Sequence, residues 1–260
     1  MTQQDQGQAA VAVEGTLSPS APGLPPESVA PIDLTQVAPP GFPSTRWLLV
    51  VGTCSALAFA SLTVAVARHA GPVSAADLQI HFWVLTNRDS SSLSIARVLT
   101  WGGATVLTLP ALVVIGALVS PRRRAFRSRI GSGVLLAGVA ALGMYLGLLV
   151  NAVVGGVRPL ASDWAGAAGG PSFPSGHTTA ATIFAASVVW ALAHRAHTRA
   201  ARIALGFGAV AYAVGVGLTR AWLGVHWPSD VVGGWLFGIA WGALAAASVI
   251  MLRRNRSRRS

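Results

Sequence analysis

The sequence predicts an all-α fold, an integral membrane bundle of six transmembrane helices with a disordered N-terminal tail. Three observations predict it. Hydrophobic residues make up 53% of the 260 and charged residues only 10%, whereas soluble domains carry about 25% charged residues. Six apolar runs, each close to the ~20 residues a bilayer requires, lie at 47–67, 96–119, 131–154, 177–194, 203–219 and 231–252. Arginine clusters then mark alternate ends of these runs, and no lysine occurs anywhere in a chain of formal net charge +11.

Taken in order, residues 1–45 are rich in Pro, Gln, Ala and Ser and hold four acids but no arginine. They read as a disordered cytoplasmic tail, because such a composition has little apolar surface to bury. No basic stretch precedes an apolar one, so a signal peptide is not expected. Residues 46–252 form the six-helix membrane domain and 253–260 a basic cytoplasmic tail. The first run contains Cys54, the single cysteine, which excludes an intramolecular disulfide and a cysteine metal site. Between the first two runs, Ser74-Ala75-Ala76-Asp77 resembles a capping box. It would open a short interfacial helix through Ile80, Phe82, Trp83 and Leu85.

Arg122, Arg123, Arg124, Arg127 and Arg129 follow the second run, and Arg195, Arg199 and Arg202 the fourth. Arg253, Arg254, Arg256, Arg258 and Arg259 follow the sixth. With six spans these clusters share one side, which the positive-inside rule makes cytoplasmic, with both termini. A nucleic-acid partner is not expected, since the arginines divide among three loops with no aromatic platform beside them. Small residues within the runs, Gly233-Gly234 among them, point to close helix packing.

The polar residues on the other side remain to be explained. The third run ends near Gly155-Gly156-Val157-Arg158-Pro159, and the fourth begins at Phe173-Pro174-Ser175-Gly176-His177. The fifth ends at Leu218-Thr219-Arg220, and the sixth follows His226-Trp227-Pro228-Ser229-Asp230. Span parity places all four ends at one membrane face. A helix start after Pro-Ser-Gly, with Ser175 as N-cap, offers unpaired N–H groups suited to a phosphate. His177 sits at its lip. Asp230, four residues after His226, either caps the sixth helix or holds one imidazole nitrogen and leaves the other free as a nucleophile. His194 and His197 fall among the inner arginines, whereas His69 and His81 have no evident partner.

Arg158-Pro159, then Pro174-Ser175-Gly176-His177, then Arg220 with His226 and Asp230 together resemble the phosphatidic acid phosphatase type 2 (PAP2) superfamily. Its signature reads Lys-x6-Arg-Pro, Pro-Ser-Gly-His and Ser-Arg-x5-His-x3-Asp. Two positions depart, because Asn151 stands where the family has lysine and Thr219 where it has serine. Threonine keeps the hydroxyl; asparagine lacks the charge but can donate hydrogen bonds.

The resemblance implies a membrane phosphatase acting on a lipid phosphate or diphosphate at the outer face of a bacterial cell membrane. His226 would attack phosphorus, Asp230 would orient it, and His177 would protonate the leaving oxygen and then activate water. Arg158, Arg220, Ser175 and the Gly176 backbone would bind the phosphoryl oxygens. No metal and no cofactor is implied. Two alternatives stay open. One is a phosphotransferase using the same histidine with an acceptor other than water; the other is a lipid-phosphate-binding pseudoenzyme, motivated by Asn151. Neither the particular lipid nor the oligomeric state follows from the sequence.

Overall fold

The computed structural model describes residues 42–69, 72–121, 124–193 and 195–257; among these the regular structure is helical and there is no strand. Most of the expected disordered tail, together with Arg122, Arg123, His194, Arg258 and Arg259, lies outside the described residues. The tail's last residues are ordered. Ser44 accepts the Trp47 N–H as N-cap of α1 (Thr45–Arg68), and Phe42 meets the Trp190 ring edge-on at 5.3 Å.

α2 (Ala75–Asn87) is the expected short helix, but the capping box is not formed. The Ser74 side chain makes no cap bond, and Asp77 accepts instead from Val73 N at 2.8 Å and Ser229 N at 2.9 Å. A buried carboxylate needs donors, and the two amides supply them from different parts of the chain.

The expected second span is also corrected. It starts earlier, at α3 (Ser90–Leu99), where Asp89 and Ser92 form a reciprocal capping box. A 3₁₀ turn, Thr100–Gly103, then bends it by 53° into α4 (Thr105–Val119). Gly102 and Gly103 are poor helix formers, and each meets a neighbouring group at close range. The Tyr212 hydroxyl donates to the Gly102 carbonyl. A Cβ on Gly103 would lie 2.6 Å from the His177 carbonyl oxygen.

α5 (Phe126–Val154), α6 (Gly176–Leu192), α7 (Arg199–Trp222) and α8 (Pro228–Ser257) complete the bundle. Together with α1, the helices α5, α7 and α8 are each long and apolar enough to cross a membrane, and α3 with α4 makes a fifth crossing if the bent pair counts as one. The shorter α6, at 17 residues, lies in the centre against α4, α5, α7 and α8. Small residues permit this. A Cβ on Gly234, Gly238 or Gly242 of α8 would lie 2.7, 2.5 or 2.7 Å from α6 side-chain carbons at Thr178, Thr182 and Ala186. Close backbone approach through small residues is how apolar helices associate in lipid. Large apolar side chains such as Val153, Phe207 and Leu252 point outward, as expected of an integral membrane protein.

The described arginines of these clusters gather at one end of the bundle, where Arg195 donates to Val119 O at 2.7 Å and Arg129 to Ala117 O at 3.1 Å. At the other end, residues 155–175 form a loop over the ends of α5 and α7 and the starts of α6 and α8.

Candidate active site

Gly155, at φ +69°, ends α5 in the left-handed conformation and turns the chain into this loop. Arginines lace the loop down. Arg88 donates to Asp163 O at 2.7 Å and Arg97 to Ala165 O at 2.8 Å, so these two cations, away from the arginine clusters, serve as anchors for the loop. His81, without a partner in the sequence reading, pairs with Asp163 at 3.0 Å and packs against the Trp227 ring at 5.1 Å. His69 bonds locally, to Ala65 O at 2.7 Å. Phe173, fully buried, stacks on Phe59 at 5.7 Å and packs against Gly233.

Within this frame Arg158, His226 and Asp230 form one hydrogen-bonded knot. His226 lies just before α8 and Asp230 in its first turn, both only 2% exposed. The Asp230 carboxylate accepts from Trp227 N at 2.8 Å and from the Ser172 hydroxyl, and it faces His226 Nδ1 at 3.3 Å. It therefore caps the helix and orients the imidazole at once. Arg158 Nη1 lies 2.9 Å from His226 Nε2. A guanidinium can only donate, so Nε2 is the acceptor and Nδ1 carries the hydrogen. Burial pushes His226 down to about 4, and the nearby arginines add to this, while its hydrogen bond and attraction to Asp230 oppose it. The ring is thus neutral near pH 7, with its lone pair on Nε2.

Arg158 is committed in every direction. Its Nε donates to Gly170 O, Nη2 to Gly169 O and Pro171 O, each at 3.0 Å, and Nη1 to Val225 O at 2.7 Å as well as to His226. Arg220, 4% exposed near the end of α7, is not. It donates to Thr100 Oγ1 at 2.9 Å and, at 3.4 Å, to Ala167 O, and its buried Nε has no partner. His177, in the first turn of α6, is within electrostatic reach of Arg220, His226 and Arg158.

Ser175 and Gly176 sit where expected, at the start of α6, with one correction. The Ser175 side chain does not cap the helix; it accepts from Thr178 Oγ1 at 3.0 Å, and Ser175 N donates to Asp230 O at 3.1 Å. The structure therefore brings Arg158, Ser175, His177, Arg220, His226 and Asp230 to one end of the bundle. Thr100 and Ser172 join them unanticipated. The Gly102-Gly103 pair was the available signal for the first, and the serine just before the Phe-Pro-Ser-Gly-His stretch for the second.

A bent, all-helical membrane bundle that gathers two arginines, two histidines and an aspartate at its helix ends is the class of protein these features define. The PAP2 superfamily matches residues 108–254, more than half of the chain, and the chain belongs to that superfamily. Over 78 residues it is 41% identical to the lipid A 1-phosphatase of Rhizobium johnstonii. That match takes in 30% of this chain and 28% of the relative's length. The crystal structure of a transmembrane PAP2-type phosphatidylglycerolphosphate phosphatase from Bacillus subtilis is also similar, with a TM-score of 0.65 and 25% identity, covering 80% of this chain and 96% of that one.

Proposed function

We propose that the protein hydrolyses a lipid phosphate or lipid diphosphate through a phosphohistidine on His226. The observation that carries this reading is the placement of His226, with Nδ1 3.3 Å from the Asp230 carboxylate and Nε2 2.9 Å from the Arg158 guanidinium, which leaves the Nε2 lone pair directed to where phosphoryl oxygens would bind. In the first step Nε2 bonds to phosphorus while the phosphorus–oxygen bond to the lipid breaks. His177 gives its proton to the leaving oxygen. In the second step His177 takes a proton from water, the water oxygen bonds to phosphorus, and the nitrogen–phosphorus bond breaks to release inorganic phosphate. Arg158 and Arg220 hold the equatorial oxygens, with Ser175 and the Gly176 N–H beside them; such preset donors are usually the largest contribution in transfers of this kind. Arg158 Nη1 has to move from Nε2 to a phosphoryl oxygen as substrate enters. No step calls on a metal or cofactor.

A lipid substrate fits a site at helix ends, where a headgroup can enter while its chains stay in the bilayer. Both relatives are named for phosphatases of lipids. Counting α3 with α4 as one bent span and α6 as another gives six crossings. The arginine-rich end is then cytoplasmic and the site faces outward.

Phosphate release from a panel of lipid phosphates in detergent, with a chelator present, tests the proposal. Wild type should release phosphate, and His226→Ala and His177→Ala should not. Unchanged turnover in His226→Ala would remove the nucleophile. Transfer to an alcohol without release of phosphate would make the protein a transferase.

A further inference from the structure

Asn151 occupies the position where the superfamily signature has lysine, and both hydrogens of its amide nitrogen are taken. Nδ2 donates to Pro171 O at 3.0 Å and to Pro174 O at 3.2 Å. An amide NH₂ has two hydrogens, so neither remains for a phosphoryl oxygen. We propose that Asn151 is a positioning residue, holding residues 171–174 so that this segment keeps Asp230 and the start of α6 in register. The proposal rests on the phosphoryl-transfer reading above.

The argument begins with the two prolines. Neither has an N–H, so at these positions the backbone can be anchored only through its carbonyls. Asn151 takes both. Between the clamped carbonyls lies Ser172, whose N–H donates to Gly156 O at 2.7 Å and whose hydroxyl donates to the Asp230 carboxylate. Immediately after them, Ser175 N donates to Asp230 O at 3.1 Å. Asp230 is thus gripped through its side chain by a residue within the segment Asn151 secures and through its backbone by the residue just after it. Pro171 O also accepts from Arg158 Nη2 at 3.0 Å, so one carbonyl joins the clamp to the arginine that faces Nε2.

Charge gives a reason for asparagine. Arg158 and Arg220 already place two cations here against one carboxylate. A lysine would add a third, partly buried cation, which is costly unless paired. The neutral amide makes the same grips without it.

The test uses the full-length protein in detergent. It combines phosphate-release kinetics, inhibition by inorganic phosphate, and hydrogen exchange over 172–176, which reads the clamp whether or not the protein turns over lipid. Asn151→Leu, similar in size but without donors, should lower kcat by about 10- to 100-fold, the scale of a small misplacement of reacting groups. Inhibition by inorganic phosphate should change by less than about threefold, and exchange over the segment should quicken by about tenfold or more. Asn151→Gln, which keeps the amide, should recover part of both losses, and Asn151→Lys should give no gain. Weaker inhibition by phosphate with unaltered exchange would mean that Asn151 contacts the phosphoryl group directly and would overturn the proposal. So would a rise of about tenfold in kcat for Asn151→Lys. If wild type releases no phosphate from any lipid, the hydrolase reading fails, and exchange alone decides the clamp: unchanged protection in Asn151→Leu sinks it.

Discussion

The two arginines of the site have the same chemistry and opposite situations. Arg158 gives all its donors to the protein, four bonds to backbone carbonyls and one to His226. Arg220 is more deeply buried yet keeps an unpartnered Nε and one long contact. Buried polar groups are normally satisfied, and leaving one unpaired is unfavourable. The difference teaches where the fold ends and the ligand begins. The half around Arg158 is closed and self-supporting; in the other half, Arg220 Nε is a buried donor with no acceptor among the described residues.

The largest effect should come from the closed half. His226→Ala is expected to cut single-turnover phosphate release by about 10⁴-fold or more, since it removes the proposed nucleophile. The two arginines should then separate. Arg220→Gln should lower kcat by about 10²- to 10³-fold and weaken inhibition by inorganic phosphate, with little change in Tm. Arg158→Gln should cost a similar rate and also destabilise the protein by about 3 kcal/mol or more, because its four carbonyls lose a charged donor. Equal Tm values for the two variants would break the comparison.

An acid titration sharpens it further. His226 sits at about 4 in the folded protein and at about 6.5 in the unfolded chain. Its contribution to stability is complete above about pH 6.5 and is lost as pH falls from there through about 4, because the unfolded state takes up the proton first. Wild-type Tm should fall across that window by more than the Tm of His226→Gln. The smallest effect belongs to Ser172→Ala. Removing one of the donors to Asp230 should cost about 1 kcal/mol and slow phosphate release by about three- to tenfold.

Much of this site was legible in the sequence because its residues lie in short, ordered stretches at the ends of apolar runs. Counting six spans brings Arg158, His177, Arg220, His226 and Asp230 together, and the structure gathers them at one end of the bundle. What escaped depends on contacts between distant segments. Asp77 reads as a local capping residue, yet it accepts from Ser229 across the fold. His81 and Asp163 are 82 positions apart, beyond any local pattern. Thr100 was hidden inside an apparently continuous apolar run, because hydropathy does not register a bend. In the sequence Asn151 reads as an uncharged substitute for the family lysine, because the loop carbonyls that take both its hydrogens lie 20 and 23 positions away.

The brevity of α6 has a consequence for the surrounding lipid. Its 17 residues span about 25 Å at 1.5 Å per residue, less than the roughly 30 Å of hydrocarbon in an average bilayer. Taken as a crossing, it falls short of that thickness. Thinning of the leaflet around a short helix is a recognised response to such a mismatch, and here it would draw the headgroup layer down toward His177.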